Sequence, residues 1–305
     1  MCTAVKYGKY FGRTLDFERS FSEELVYLPR DFQIGLSNGE KLTFNYSVIG
    51  TACVSGDTPL FFDGMNGAGL CAAALNFPGY AVYRKGRVGS LNLASFEVMS
   101  YILGSFSSVN EAKTGLRSLC VTDASFSREL PPTALHWMVA DREDCIVIEP
   151  LSGGVKIYEN KIGVMTNSPD FNYHLTRLSD YSSLSQASEK NGALFHLSEQ
   201  PYSRGLSALG LPGDWSSNSR FVRAAFLKSC LLTEENDPKP PILRILEGVS
   251  VPRGCVMTES GEPVKTIYTC YADMEEKKYF LKTYDGRRYS LDFPLFRKDF
   301  ARLKL

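Results

Sequence analysis

Residues 1–17 read MCTAVKYGKYFGRTLDF, and the fold turns on how this stretch is divided. CTAVK and KYFGRTLDF alternate apolar and polar residues with the period of a strand, and the Tyr7-Gly8 step between them supplies a tight turn. A hairpin of that length brings Arg13 and Asp16 back beside Cys2. Removal of Met1 places a thiol and a free α-amine on one residue. The reference pKa of an α-amine is about 7.7–8.0 and that of a thiol about 8.5, so proton transfer between them is nearly balanced at neutrality and no catalytic histidine is required. Arg13 then favours the thiolate by its charge, and Asp16 accepts a hydrogen bond from the α-ammonium. Taken singly, Cys2 is an ordinary cysteine and Arg13 with Asp16 an ordinary surface ion pair, so the rest of the chain decides.

Strand-like runs follow at 24–28, 46–53 and 60–62, and Asn66-Gly67 makes a hairpin turn into LCAAALNF. The spacing of Leu91, Leu93, Phe96, Val98, Met99 and Ile102 predicts a helix over 91–103, ended by Gly104. Ser108 and Glu111 have the separation of a capping box, opening a second helix that reaches about Leu119. Strands resume with ALHWMVA, CIVIEP and KIGVMT, whereas 169–215 is rich in Ser, Asn, Pro and Gly and reads as helical turns and loops. Helices are predicted over 219–232 and 241–249, then strands at 266–271, 278–283 and 288–292. Grouped strands, grouped helices and strands again predict an α+β layered architecture with mainly antiparallel sheets, not a doubly wound one. With no internal repeat or linker, 1–305 reads as a single domain.

The composition removes several classes of function. Hydrophobic residues make up 44% and charged residues 22%, ordinary globular values. Lys plus Arg and Asp plus Glu each number 34, so no global field draws nucleic acid or an anionic membrane. Absence of a signal-type N-terminus and of an apolar run near the roughly 20 residues of a membrane span predicts a soluble, cytoplasmic protein. The eight cysteines, at 2, 53, 71, 120, 145, 230, 255 and 270, form no Cys-x-x-Cys pair, so neither a metal nor a redox dithiol is expected. Asn66-Gly67-Ala68-Gly69 is followed by no Lys-Ser/Thr and is no phosphate loop, so no nucleotide or other cofactor is implied. His136, His174 and His196 carry no local signature of a Cys-His pair and read as structural. Asn45-Tyr46-Ser47 matches a glycosylation acceptor, idle without a secretory signal.

MCT, FGRTLDFERSF, DGMNGAGL, ALNFPGY, TALHWM, GVMTNSP and LPGDWSSNSRFVRAAFL together resemble the choloylglycine hydrolase family of N-terminal-nucleophile hydrolases, with bile salt hydrolases the best match within it. The resemblance runs in order from Cys2 to the region near Cys270, and the last part of the chain matches only loosely. It implies a four-layer αββα fold with two antiparallel sheets. It also implies Cys2 as nucleophile with its own amine as base, Arg13 as the thiol-side arginine and Asp16 as the amine-binding carboxylate. Asn76 and Asn167 match residues that form the oxyanion hole and orient substrate, and Arg220 matches an active-site arginine. Neutral amide donors suit an oxyanion and are typically worth about 10²–10³ in rate. Without the resemblance each asparagine reads as a turn residue and Arg220 as a helix-surface charge.

The implied reaction is hydrolysis of the amide of a conjugated bile acid through a thioester, releasing taurine or glycine. Asn at position 76 resembles bile salt hydrolases, where penicillin V acylases commonly carry Tyr, so penicillin V acylase or another N-acyl amidase is the alternative. A binding protein that keeps the pocket without turnover is the alternative of another class. Leu15, Phe126, Leu130 and Leu135 fall in segments resembling the family's apolar pocket loops, and read nearly as well as core. Ser203-Arg204-Gly205 resembles the loop of taurine-preferring members, and a sulfonate offers three acceptor oxygens to Ser203 and Arg204. A homotetramer is the assembly the family implies.

Overall fold

The computed structural model describes residues 1–186, 203–232, 237, 239–293 and 299–305. The N-terminal hairpin forms as the alternation predicts: Cys2–Tyr7 pairs with Tyr10–Phe17, Cys2 opposite Leu15 and Ala4 opposite Arg13. Gly8 closes the turn at φ 54°, a left-handed conformation that suits glycine. Val164–Met165 flanks the hairpin on one side and Pro263–Asp273, Lys278–Thr283 and Arg288–Asp292 on the other. With Val256–Met257 on the long strand, these make one antiparallel sheet of seven described strands.

The second sheet has eight described strands, in the order Gly154–Glu159, Cys145–Leu151, Leu135–Ala140, Cys71–Asn76, Thr58–Asn66, Val48–Ser55, Glu24–Leu28 and Ala301–Lys304, all neighbours antiparallel. Both of its faces are apolar. Leu25, Cys71, Ala73 and Met138 face the first sheet, while Val26, Ala72, Val139 and Trp137 join the core under the helix Val98–Ser105. A strand clad on both sides loses the polar alternation that marks a half-exposed one. Ser217–Cys230 and Pro241–Glu247 cover the outer face of the first sheet, so the layers run helix, sheet, sheet, helix: the αββα arrangement. Cys2 begins an inner strand of the first sheet and is buried in the core between the two.

The structure redraws several predicted elements. Leu91–Ala94 is a strand, paired in parallel with Leu119–Thr122, and the helix starts only at Val98. The Glu97 carboxylate takes the backbone N–H of Ala94 at 2.7 Å and so ties down the corner between strand and helix. Gly104 lies inside that helix, where a Cβ would come within 3.0 Å of the Phe44 ring; it is a packing glycine, not a stop. Ser108 caps Val109–Gly115 as expected, accepting from Glu111 N at 3.2 Å, but Glu111 reaches back to Ser107 N, and the helix ends before the strand claims Leu119. Gly154–Glu159 is a further strand, and Phe171–Ser179, capped by Asp170, is a helix of nine residues within the segment read as helical turns and loops. His196 and residues 187–202 of that segment lie outside the described residues. Among the described residues no helix is long and apolar enough to cross a membrane.

Candidate active site

Cys2 is 1% exposed, and the residues that fix its backbone come from far along the chain. Its N–H donates to Asn167 Oδ1 at 2.7 Å. The Cys2 carbonyl accepts from Arg220 Nη1, which also bonds Thr3 Oγ1 at 2.7 Å, while Arg220 Nη2 bonds Asn167 Oδ1 at 2.8 Å. Arg220 Nε holds Trp215 O at 3.0 Å. Arg220 is therefore a fully buried strut of the site and not a helix-surface charge. Burial pulls its pKa below the ordinary value, against the fields of Asp16 and Cys2. The helix Ser217–Cys230 delivers it because Ser216 caps the first turn, accepting from Ser219 N.

Asn167 is bonded through its backbone and its side chain alike. Its Nδ2 donates to Asn76 O at 2.8 Å, its N–H to Ser217 Oγ at 2.9 Å, and its carbonyl faces His174 Nε2 at 2.8 Å. Asn76 ends the strand Cys71–Asn76 opposite Leu135, and its half-buried side chain lines the cavity at Cys2. Asp16 is buried, with Thr266 Oγ1 on one carboxylate oxygen at 2.6 Å and Thr14 Oγ1 on the other at 3.0 Å. A register shift between Thr266 and Tyr268 turns Thr266 toward it. Met1 is bound back against the same strand, its ammonium to Asp16 O at 2.6 Å and its carbonyl to Asp16 N–H at 2.9 Å.

On the other flank Arg13 is fully buried. Nη1 donates to Phe62 O and Ala74 O, both at 3.1 Å, and Nε to Thr14 O at 3.2 Å, whereas Nη2 has no hydrogen-bond partner. Desolvation opposes its charge, but the fields of Cys2, Tyr268, Asp63 and Cys270 outweigh that and hold its pKa above the ordinary arginine value. A buried guanidinium with one unmatched N–H₂ group thus lies beside the Cys2 thiol at the cavity.

From Cys2 and Arg13 a cavity of about 440 Å³ opens outward, within the range of small-molecule sites. Leu15, Phe126, Leu130 and Leu135 line it, together with Phe17 and Phe21, so the four apolar positions read from the sequence converge on one space. Ser203 and Arg204 are exposed and do not line it; Ser203 Oγ turns instead to Arg204 O at 3.0 Å. Arg13, Asn76, Asn167 and Arg220 are gathered around Cys2, by direct bonds or at the same cavity wall, whereas Asp16 is joined through its backbone to Met1, the residue before Cys2.

His136 and His174 have the structural part read from the sequence, and what they support, with Glu149, is added by the structure. His136 stacks on Phe77 with ring centroids 4.2 Å apart, and its nitrogens face Glu149 Oε1 at 3.1 Å and Thr166 O at 2.9 Å. Glu149 also accepts the N–H of Phe171. His136 thus braces the residues next to Asn76 and Asn167, and His174 holds Asn167 itself. Burial lowers the pKa of His174, partly offset by its bond to Asn167 O. The one available signal is a polar residue on an apolar strand face, as with His136 in LHWMVA, Glu149 in CIVIEPL and Asp63 in TPLFFDGMN.

Comparison with known proteins places this arrangement. The model of the choloylglycine hydrolase family, described as linear amide C-N hydrolases, matches residues 1–293. A bile salt hydrolase/transferase of Lactiplantibacillus plantarum is 41% identical over 291 residues, covering 94% of this chain and 90% of the relative. That of Clostridium perfringens is 35% identical over 298 residues, covering 94% and 91%. A crystal structure of a mutant conjugated bile acid hydrolase from Clostridium perfringens superposes with a TM-score of 0.92 at 32% identity, over 100% of this chain and 97% of that one. Penicillin V acylase from Agrobacterium tumefaciens shares the fold, with a TM-score of 0.79 at 22% identity, over 100% and 91%. The fold is that of the N-terminal-nucleophile hydrolases, and the chain belongs to the choloylglycine hydrolase family of linear amide C–N hydrolases.

Proposed function

We propose that the chain is a bile salt hydrolase in which Cys2, freed by removal of Met1, attacks the amide of a conjugated bile acid. The observation that carries this reading is the single cavity that joins Cys2 and Arg13 to an apolar wall of Leu15, Phe126, Leu130 and Leu135. A steroid acid asks for such an asymmetric site, apolar along its length and polar at the amide. The names of the relatives support the same substrate class.

The Cys2 thiol passes its proton to its own α-amine, which Asn167 Oδ1 and Asp16 hold in place, and the thiolate adds to the carbonyl carbon. Asn76 and Asn167 offer their side-chain amides to the oxyanion and to the orientation of substrate, one N–H of Asn167 Nδ2 being held by Asn76 O. The ammonium returns the proton to the leaving nitrogen, taurine or glycine departs, and a bile acyl thioester remains on Cys2. Water, deprotonated by the same amine, opens the thioester and restores the thiol.

Taurine preference belongs to this reading on the Ser203-Arg204-Gly205 motif alone, since neither Ser203 nor Arg204 lines the cavity. Action in the cytoplasm, where the eight free cysteines stay reduced, and assembly as a tetramer belong to it also. The test is incubation of the processed protein with taurocholate, glycocholate and penicillin V, with released amines and acids quantified. Amine release from a bile salt is expected, faster from taurocholate. No release from either overturns the reading, and acid release from penicillin V alone replaces it with the acylase.

A further inference from the structure

Arg13 is flanked by two anion sites, and the proposed chemistry uses only one. Behind it, on the strand Thr58–Asn66 of the second sheet, Asp63 is 1% exposed. Its Oδ1 accepts from the Tyr279 hydroxyl and from Cys270 Sγ at 3.2 Å, and its Oδ2 from the Tyr268 hydroxyl. Oδ2 lies 3.7 Å from Arg13 Nη1, and Thr51 Oγ1 sits 2.7 Å from the Tyr279 hydroxyl. The donors come from the first sheet and the carboxylate from the second, so the group joins the two sheets directly behind the hairpin that carries Cys2.

The three carbonyls around Arg13 take the N–H groups of Nε and Nη1 but cannot neutralise the guanidinium; only an ionised neighbour does that in a buried place. Asp63 is such a neighbour on one side and a Cys2 thiolate on the other. At 3.7 Å Asp63 is beyond direct hydrogen-bond contact. Two hydroxyls and a thiol spread its charge, and Nη2 of Arg13 is left without a hydrogen-bond partner. We propose that Asp63 is a positioning residue that sets how much of the Arg13 charge reaches Cys2, and thereby the pH at which Cys2 becomes nucleophilic.

The other titratable groups facing Asp63 hold steady. Burial first, and then the field of Asp63, pushes the Tyr268 and Tyr279 hydroxyls and the Cys270 thiol well up, so they remain donors. Cys71, on the neighbouring strand, is pushed up by burial, Asp141 and Asp63. Facing Cys2 itself are Arg13 and Arg220, with Asp16 beside the latter.

This inference rests on Cys2 as the nucleophile but not on bile salts as substrate, and the test separates the two. In Met1-free protein, the rate of Cys2 alkylation by iodoacetamide is followed against pH on the N-terminal peptide by mass spectrometry. In Asp63→Asn the charge competing for Arg13 is gone, so the alkylation midpoint falls by roughly one pH unit. Tyr268→Phe strips Oδ2 of its hydroxyl donor while keeping the ring, which turns the carboxylate more fully on Arg13 and raises the midpoint. If Asp63→Asn does not fold, Tyr268→Phe decides. Midpoints that stay in place, or move with the opposite sign, in whichever variants fold overturn the proposal and leave Asp63 a purely structural link. Shifted midpoints in a protein that releases no amine from either bile salt sustain the role of Asp63 and sink the substrate reading alone.

Discussion

The two ends of the cavity are built by different means. At the closed end Cys2, Asn167 and Arg220 are buried and bonded into one network, in which Cys2 is tied to the other two across separations of 165 and 218 residues. At the open end Phe126 and Leu130 sit on a loop, and Leu130 is 39% exposed. Its local order comes from hydrogen bonds within the turn, Ser127 Oγ accepting from Leu130 N at 3.2 Å. The closed end has one arrangement because almost every polar group in it has a fixed partner. The open end offers area without fixed direction. The difference teaches that rate and recognition should separate: substitutions at the closed end act on kcat, and those at the open end on KM.

The largest expected effect tests the closed end. Cys2→Ala removes the nucleophile and leaves the backbone bonds to Asn167 and Arg220 intact, so kcat falls on the order of 10⁴-fold or more while the thermal midpoint holds. Retained turnover would detach the chemistry from Cys2 altogether. Next, Asn76→Ala removes the amide group that lines the cavity at Cys2; a loss of about 10²–10³ in kcat at constant KM is expected from steady-state kinetics. A change confined to KM would move Asn76 from the rate side of the comparison to the recognition side. Leu130→Ala is the complementary change, with a KM several-fold higher, about fivefold, and kcat unchanged. If it lowers kcat instead, the open end takes part in the chemistry and the division fails.

The smallest effect concerns the brace behind Asn167. Burial depresses the His174 pKa in the folded chain, so the unfolded chain, titrating near 6.5, binds the proton more readily. Below about pH 6.5 the unfolded state gains protons that the folded state does not, and stability is lost as pH falls; above it the contribution is fully present. Melting temperatures measured from pH 8 to pH 5 should decline on the acid side, and the decline should be shallower in His174→Gln, which keeps a donor toward Asn167 O. An unchanged slope would assign the acid sensitivity to other groups.

The same division governs what was legible in the sequence. The hairpin was, because alternation and a glycine turn are local, and Cys2, Arg13 and Asp16 follow from it within 17 residues. Asn76, Asn167 and Arg220 needed the family motifs, since no spacing rule links positions on different sheets and helices. His136 reads as structural but without its partners, and the roles of Asp63 and Glu149 escaped because a polar residue in a strand-like run does not say what it bonds; what marks it is a partner up to 216 positions away. The helix at 98–105 was read too long at its start because Leu91 and Leu93 fit both a helix stripe and a strand face, and only the parallel partner at 119–122 decides. Ser203 and Arg204 were read as substrate contacts from a motif, and among the described residues nothing draws them to the cavity wall.

The bond from Thr266 to Asp16 spans 250 positions, and Arg220 reaches Cys2 across 218. During synthesis, therefore, Cys2, the proposed nucleophile, waits for a further 264 residues before its surroundings are complete. Contacts of such separation form late, after the loop between them has closed. Until then Cys2 is an unremarkable thiol, open to whatever cuts or caps an N-terminus, and no prematurely ended chain shorter than Thr266 has the complete cradle. Activity is in this sense a report that translation ran to its far side and that the two sheets met.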